Sequence, residues 1–373
     1  MAKEIDYLGC LFDEVRHLAT TGVGEFQRHC SLYRNDRVTV DLVPAQGGAR
    51  LVDKGRILLS VPQWLSKIIR LHQWADVLQL RCPANISLIA CEYLARRSEK
   101  IRWAKWASSC TPLPGEGFAS RRQRRRLFGG SFGGPVTLNG SLTDQPSYCH
   151  SFFNPCFAER ELEEILKREK EYNTEERNIL FVGLLEDRKR CSLVIEATHE
   201  LLKRSFRCRL TIVGDGPCRR KLQELVKQRG CEGSVFFTGF LTREAVKEEF
   251  SRADFLVLPS TIEGYAKVLT EAMAFRVPCL VTPAGCQAQI FNEKQCGIVV
   301  DMDDPVGGIA EGILTLAGNE EFRRRVVQKG IPLAKASTYE RYVLGIRSML
   351  QQHYHAVLPM PDFSRSGHCS TDD

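Results

Sequence analysis

Short apolar or β-branched runs alternate with amphipathic segments through the second half of the chain. The runs predict six strands: Asn178–Val182, Arg209–Val213, Ser234–Thr238, Asp254–Leu258, Pro278–Thr282 and Gly297–Val300. Apolar residues at i, i+3 and i+4 predict intervening helices at Cys191–Lys203, Pro217–Arg229, Arg243–Phe250, Tyr265–Phe275 and Gln287–Phe291. Strands that alternate with single helices are typical of βαβ units and a doubly wound parallel sheet.

The first half is less regular but also favours α/β structure. It predicts strands at Val38–Val43, Ala75–Leu80 and Val136–Asn139, and helices at Pro62–His72 and Ala84–Arg97. Loops rich in Gly, Ser and Pro then lead into a charged segment. We predict a first domain over 1–140, a linker over 141–177, a second domain over 178–337, a helix over 338–357 and a disordered tail over 358–373.

The strongest local signal for function is the segment 259–272, PSTIEGYAKVLTEA, which follows a predicted strand. A loop delivers Glu263, Gly264 allows close backbone approach, and a helix begins there. A helix N-terminus offers free N–H groups that suit a phosphate. Glu271 lies two helical turns after Glu263, so both carboxylates can face a ligand that also carries hydroxyls, as a sugar nucleotide does. Taken alone, the segment also fits a helix with an acidic N-cap and one solvent-facing Glu.

Three further strand-and-turn segments occur in a fixed order before it: Asn178–Lys189, Leu210–Pro217 and Val235–Phe240. Together with the Glu-x7-Glu pair and Glu271-Ala272-Met273-Ala274, they closely resemble the C-terminal domain of retaining family-4 glycosyltransferases of the GT-B fold. The resemblance covers about residues 178–350. It is fainter in the first half, at Asp76–Pro83 and Val136–Gly140. It implies an α/β, GT-B-like fold of two Rossmann-like doubly wound domains with a cleft between them.

The resemblance also implies the reaction: metal-independent sugar transfer, with retention, from a nucleoside-diphosphate-sugar donor to a sugar or lipid-linked acceptor, without a further cofactor. Glu263 would hold the donor sugar near its anomeric carbon, Lys189 would neutralise the leaving diphosphate, and Glu271 would hold the ribose. The donor site would further use the backbone of Gly264, Tyr265, Ala266, Lys267, Val268 and Leu269 for the distal phosphate. The turn at Gly183 would also contribute, and the turn Gly239-Phe240-Leu241 would line the nucleobase.

Several positions depart from the family pattern. Leu184 stands where the family commonly has Arg, and Arg81, which we assign to the acceptor side, stands where it has His. Arg276 replaces a Gly, and a Gly-Gly…Glu pattern reads Gly285-Cys286-Gln287-Ala288-Gln289. The family's opening strand and glycine-rich loop are not recognisable before Tyr7, so we expect a truncated first domain. The alternative function is therefore a catalytically impaired nucleotide-sugar-binding or scaffolding relative.

Composition and cysteine usage narrow the class of protein. The 373 residues are 43% hydrophobic and 26% charged, and every apolar run is shorter than the ~18 residues of a spanning helix. No secretory signal is evident, so we expect a cytoplasmic protein whose cysteines are free thiols. None of the 15 cysteines forms Cys-x-x-Cys, which argues against a zinc or iron–sulfur site. Asp301-Met302-Asp303-Asp304 is better explained by N-capping than by a metal, so we predict no metal site.

Net charge singles out residues 96–126. They hold ten basic and two acidic residues, a net +8 against +7 for the whole chain. Trp103, Trp106, Leu127 and Phe128 interleave apolar side chains with this charge, which predicts peripheral contact with an anionic membrane surface. A solvated face and a nucleic-acid patch are the alternatives, and we expect no nucleic acid.

Overall fold

A computed structural model describes residues 2–21, 32–44, 51–97, 100–110, 112, 115–140 and 144–368. The chain forms two units. One contains Met1–Phe152 and Tyr339–Asp373, and the other contains Phe153–Thr338. The predicted linker over 141–177 therefore differs from the structure, because its first part belongs to the first unit and its remainder to the second. Within the described ranges, no helix is long and apolar enough to cross a bilayer.

The first unit contains a two-stranded and a four-stranded sheet, both parallel. Its strands are β1 (Val15–Thr20), β2 (Val38–Val43), β3 (Val77–Cys82), β4 (Ile101–Trp106), β5 (Val136–Leu138) and β6 (Cys149–Ser151). Its helices before residue 152 are α1 (Ala2–Leu8), α2 (Leu51–Trp74), α3 (Asn85–Leu94) and α4 (Phe118–Phe128). Strand order in the larger sheet is β3-β4-β5-β6, so β6 adds the edge strand from within the predicted linker.

Strand β4 is the main departure from the sequence prediction in this unit. Its sequence, IRWAKW, carries two cations, yet five of its six residues are buried. Lys105 donates to the buried Glu4 carboxylate at 2.6 Å and lies 4.6 Å from the Tyr342 ring centre. Arg102 donates to the carbonyls of Leu94 and Arg97. Because both cations have internal partners, this stretch of the basic segment lies inside the fold.

The predicted apolar anchors of the basic segment are therefore wrong. Trp103, Trp106 and Leu127 are 2%, 0% and 0% exposed, so they cannot reach a membrane surface. Phe128 packs against the same core. The sequence of β4, IRWAKW, mixes basic and aromatic residues, and the same mixture is also typical of a membrane-surface anchor.

The second unit is one six-stranded parallel sheet with helices on both faces. Its strands, in the order β12-β11-β10-β7-β8-β9, are β7 (Arg177–Val182), β8 (Cys208–Val213), β9 (Val235–Gly239), β10 (Phe255–Leu258), β11 (Cys279–Val281) and β12 (Gly297–Val299). Its helices are α5 (Glu159–Lys167), α6 (Cys191–Lys203), α7 (Arg219–Gln228), α8 (Arg243–Arg252), α9 (Lys267–Ala274), α10 (Gln287–Lys294), α11 (Pro305–Gly318) and α12 (Glu320–Lys335), with a 3-10 turn at Asp187–Lys189. All six predicted strands are confirmed to within about two residues at each end.

The chain returns to the first unit through helix α13 (Tyr339–Tyr354) and a 3-10 turn at Phe363–Ser366. Tyr7 stacks with Tyr339 at 4.8 Å and with His368 at 5.9 Å. The His368 Nε2 atom lies 3.0 Å from the buried Asp6 carboxylate. Over residues 358–368 the structure thus differs from the predicted disordered tail.

The cysteines are free thiols in the described part of the chain. Of the 13 described there, Cys110 and Cys218 are partly exposed and the others are buried. Burial raises the pKa of the Cys91 thiol to about 11 and that of Cys208 to about 12. These side chains act as small apolar groups of the core.

The buried Glu4–Lys105 pair gives a stability prediction. Lys105→Met removes the buried cation and leaves the desolvated Glu4 carboxylate with the half-exposed Arg81 guanidinium at 3.3 Å, so the loss should lie at the low end for a broken buried pair, about 3 kcal/mol. Arg220→Ala, which breaks an exposed pair with Glu224, is the control and should cost less than about 1 kcal/mol. Urea unfolding measures both. Equal losses in the two variants would contradict the role given to Glu4 and Lys105.

Candidate functional site

The candidate site lies in the second unit, where the strand order reverses between β10 and β7. The chain builds β7, β8 and β9 to one side and then crosses over to build β10, β11 and β12 on the other. In open parallel sheets, ligands bind outside the carboxyl ends of the strands at such a reversal. The turns that follow β7 and β10 are therefore the first place to look for chemistry.

Glycines allow close contact between the turns at the carboxyl ends of neighbouring strands. The Gly183 amide donates to the Val213 carbonyl at 3.0 Å, and the Gly214 amide donates to the Gly239 carbonyl at 2.8 Å. Gly214 has a φ of +131°, and a Cβ there would lie 2.0 Å from the Gly183 carbonyl oxygen. Gly285, after β11, has a φ of +60°, and its Cβ would lie 2.0 Å from the Glu263 carbonyl oxygen. Only glycine permits these approaches.

The structure brings together the two predicted catalytic side chains, Lys189 and Glu263, as an ion pair. Their side chains are 13% and 12% exposed, so the pair is largely shielded from water. The loop that carries Glu263 is fixed to the 3-10 turn that carries Lys189, because the Thr261 amide donates to the Arg188 carbonyl at 2.8 Å. Lys189 and Glu263 thus have fixed backbones on either side of the strand reversal.

Helix α9 begins at Lys267, two residues after the predicted start. Its N-cap, Ala266, provides no side-chain acceptor. The first intrahelical donor is the Leu269 amide, which donates to the Ala266 carbonyl at 3.1 Å. The amides of Lys267 and Val268 precede it and have no acceptor among the described residues, so they can donate to an anion.

The side chains of this segment face the core. Tyr265 is 4% exposed and packs edge-on against Phe153 at 5.3 Å, and Leu269 is fully buried. The Lys267 ammonium donates to the Pro155 carbonyl at 2.8 Å. The segment can therefore contact a ligand through its backbone, which is the kind of contact that the sequence resemblance implies. The Lys267 ammonium group is already hydrogen-bonded within the protein.

Glu271 occupies the second turn of α9, and burial raises the pKa of its carboxyl. Lys267 and Arg243 oppose that shift. Among the described residues Glu271 makes no ion pair, and Lys189 is paired with Glu263 instead. A carboxylate that is costly to keep ionised and lacks a direct partner marks a candidate ligand site.

An open cavity of about 560 Å³ adjoins the 3-10 turn. It is lined by Leu184, Glu186, Asp187, Arg188 and Pro217. Arg188 pairs with Glu186 at 2.7 Å, and this hydrogen bond lowers the pKa of Glu186. Leu184 is 44% exposed at the position where the sequence resemblance expects a cation. The cavity wall beside Lys189 therefore offers no unpaired cation among its lining residues.

The turn after β9 presents an aromatic side chain to solvent. Gly239 has a φ of +73°, Phe240 is 55% exposed, and Leu241 packs against the core. The predicted nucleobase contact would therefore involve Phe240 more directly than Leu241. The preceding glycine turns the chain so that this ring is outside the sheet.

Sequence reasoning missed a buried polar chain behind the Glu263 loop. The Thr282 hydroxyl donates to the Ser260 carbonyl at 2.6 Å, and the Gln287 amide nitrogen donates to the Thr282 carbonyl at 3.0 Å. Ser260 Oγ and Gln287 Oε1 are buried and have no hydrogen-bond partner among the residues that the structure describes. The only available signal was Gln287 at a predicted helix start, which also fits a surface position.

Arg81, the predicted acceptor-side residue, lies in the first unit near the end of β3. Its guanidinium is 3.3 Å from the Glu4 carboxylate and is 39% exposed. Together with burial, it lowers the pKa of His17. In the second unit, Asp304 caps α11 by accepting from the Gly307 amide, as the capping interpretation predicts. No cluster of three or more His, Cys, Asp or Glu in the described ranges is arranged to hold a metal.

Solved structures with the same architecture define the fold class. Sucrose-phosphate synthase from Thermosynechococcus elongatus superposes with a TM-score of 0.63 at 16% identity, covering 85% of this chain and 84% of its own. Anabaena HepE in complex with UDP and glucose gives a TM-score of 0.60 at 15% identity, with 86% and 87% covered. The chain has the GT-B fold, built from two Rossmann-like domains.

Sequence comparison then identifies one domain. Residues 163–331 match the family described as glycosyl transferases group 1. The alpha-D-kanosaminyltransferase of Streptomyces kanamyceticus is 31% identical over 158 residues, which cover 42% of this chain and 41% of that enzyme. The N-acetyl-alpha-D-glucosaminyl L-malate synthase of Bacillus anthracis is 28% identical, with 48% and 44% covered. The family match covers less than half of the chain, and the chain spans less than half the length of each of these relatives.

The contact between Gly285 and the Glu263 loop is testable through stability. Gly285→Ala should lose at least about 3 kcal/mol, because it adds a backbone clash to the strain of a positive φ. Gly230→Ala is the matched control, since Gly230 has a φ of +64° with no atom near its Cβ position, and it should lose about 1 kcal/mol. Urea unfolding compares them, and equal losses would contradict the close approach.

Proposed function

We propose that this protein transfers a sugar from a nucleoside-diphosphate-sugar donor to an acceptor hydroxyl, without a metal and with retention of anomeric configuration. The observation that carries the proposal is the shielded Lys189–Glu263 ion pair at the strand reversal, beside the N-terminus of α9. The group 1 domain and the transferase relatives support it. The acceptor is a sugar or a lipid-linked sugar.

The charges present suit departure of a diphosphate. Lys189 and the free amides of Lys267 and Val268 are positive where the leaving group gains negative charge, which stabilises the transition state. Glu263 lies beside Lys189 and would hold the donor sugar and the developing positive charge at its anomeric carbon. Glu271 would accept hydrogen bonds from the ribose hydroxyls.

The bonds change on one face of the sugar. The bond from the anomeric carbon to the diphosphate oxygen breaks, and a bond to the acceptor oxygen forms on the same side. The acceptor proton passes to the departing phosphate oxygen, so no side-chain nucleophile is needed. The protein supplies orientation and fixed charge, which are the largest contributions available without covalent catalysis.

A second candidate function is a nucleotide-sugar-binding relative with little activity. Leu184 is exposed and uncharged, and Arg188 is paired with Glu186, so Lys189, itself paired with Glu263, is the one basic side chain that we assign to the leaving group. A single cation stabilises a departing diphosphate less than two would. Donor turnover distinguishes the two functions, because the relative would bind donor without hydrolysing or transferring it.

Glu271→Gln should weaken binding of the cognate nucleoside diphosphate about tenfold or more, because a charge-assisted hydrogen bond to ribose is lost. Calorimetry with UDP, GDP and ADP measures this. Glu263→Gln is the comparison, and it should retain nucleotide affinity while losing transfer. Full affinity in Glu271→Gln would contradict the ribose assignment.

The same variant should change the pH dependence of stability. Because the folded pKa of Glu271 is raised, its carboxylate destabilises the fold above that pKa, and the penalty fades as pH falls toward the ordinary glutamate pKa. Glu271→Gln should therefore be at least as stable as the native protein at pH 7.5, with the difference shrinking at acid pH. Glu224→Gln on the surface should show no such trend. Thermal melts across pH test this, and a loss of stability at pH 7.5 would oppose it.

Changes at the leaving-group side should separate the two candidate functions. Lys189→Met should abolish transfer, and Leu184→Arg should increase donor turnover because it restores a cation at the cavity wall. The measurement is release of nucleoside diphosphate from the donor that binds most tightly. Donor binding with no release in either the native protein or Leu184→Arg would favour the binding-protein alternative.

A further inference from the structure

A groove in the first unit combines an apolar floor with a basic rim. It has a volume of about 370 Å³ and lies among helices α2, α3 and α4. Its floor is formed by Leu65, Leu88, Ile89, Tyr93 and Phe118. Its rim carries Arg96, Arg97 and Arg122. None of these side chains belongs to the strand-end site of the second unit.

The rim has an excess of positive charge. Glu92 is the one acidic residue of the lining, and it is held by Arg122 at 2.7 Å and by Arg126 at 2.9 Å. These pairs lower the pKa of Glu92 to about 2, so the carboxylate stays ionised and satisfied. Arg96 and Arg97 follow the end of α3 and are exposed, and among the described residues their guanidinium groups donate only to carbonyls of that helix. The Arg97 guanidinium also lies 3.8 Å from the Tyr93 ring centre. Neither guanidinium has a carboxylate partner in the described part of the chain, and both charges face solvent.

The apolar part extends beyond the groove. Phe118 is 74% exposed at the start of α4. Leu58, 73% exposed, precedes Leu65 by seven residues on α2 and therefore shares its side of the helix. Large exposed apolar side chains therefore lie beside guanidinium groups. Such a protein surface is complementary to a partner that presents both hydrocarbon and negative charge.

We propose that this groove binds the surface of an anionic phospholipid bilayer, with Phe118 and Leu58 entering the acyl region and Arg96 and Arg97 on the phosphates. Charge complementarity and the continuity of apolar side chains along α2 favour a bilayer. The surface keeps part of the segment predicted from residues 96–126, namely Arg96, Arg97, Phe118 and Arg122, whereas the buried Trp103 and Trp106 have no part in it. The proposal extends beyond the transferase function and does not depend on it.

Vesicle co-sedimentation tests the groove with the whole protein and needs no catalytic activity. The native protein should sediment with vesicles containing phosphatidylglycerol at 0.15 M salt and remain in solution with phosphatidylcholine alone. Arg96→Ser with Arg97→Ser should lower partitioning about 30-fold, since each basic residue near an anionic leaflet contributes about fivefold. Phe118→Ser should lower it about tenfold.

Matched controls keep the interpretation specific. Arg220→Ser with Arg324→Ser removes the same charge from exposed positions in the second unit, and Val357→Ser removes a side chain that is 96% exposed in the first. Both should partition like the native protein, and thermal melts confirm that each variant is folded. Native protein that stays in the supernatant at low salt, or a Phe118→Ser variant that binds fully, would overturn the proposal. So would equal losses in the controls.

Discussion

The site depends on one ion pair, between Lys189 and Glu263, that joins the two sides of a reversed strand order. Two opposite charges with little access to water are costly unless their geometry is fixed in advance. The fixed geometry comes from the backbone: the Thr261 amide donates to the Arg188 carbonyl, and Gly285, which has no Cβ, allows the Glu263 carbonyl to approach closely. The neighbours β7 and β10 thereby place residues from distant parts of the chain in direct contact.

That arrangement also explains why the remaining site residues are where they are. Once the Glu263 loop is fixed, the chain enters α9 with its first amides free and its side chains committed to the core. Glu271 then falls on a buried second turn, where burial opposes its ionisation. The site is thus built mainly from backbone donors and a few charges, and local side-chain packing supports it from behind.

The sequence predicted the second unit well because βαβ alternation, glycine turns and the Glu-x7-Glu spacing agree with one another. Lys189 and Glu263 could be paired only through the sheet order that the family resemblance supplied. The sequence prediction failed for residues whose burial is unusual for their type. Lys105 and Trp106 were predicted to belong to a membrane-facing surface, but they are buried in strand β4. Thr282 gave no signal and Gln287 showed only as a residue at a predicted helix start, because side-chain hydrogen bonds to backbone carbonyls leave no periodicity in the sequence.

The discontinuous first unit has a consequence for biosynthesis. Its residues before 153 are joined by residues after 338, and the Tyr354 hydroxyl donates to the Arg102 carbonyl at 2.8 Å on strand β4. At roughly 5–20 residues per second, translation of the intervening segment takes on the order of ten seconds or more. During that time the second unit can fold as it emerges. The first unit still lacks α13, the helix that contacts strand β4 and its buried cations. The nascent first unit is then the part of the chain with the greatest need for chaperone protection.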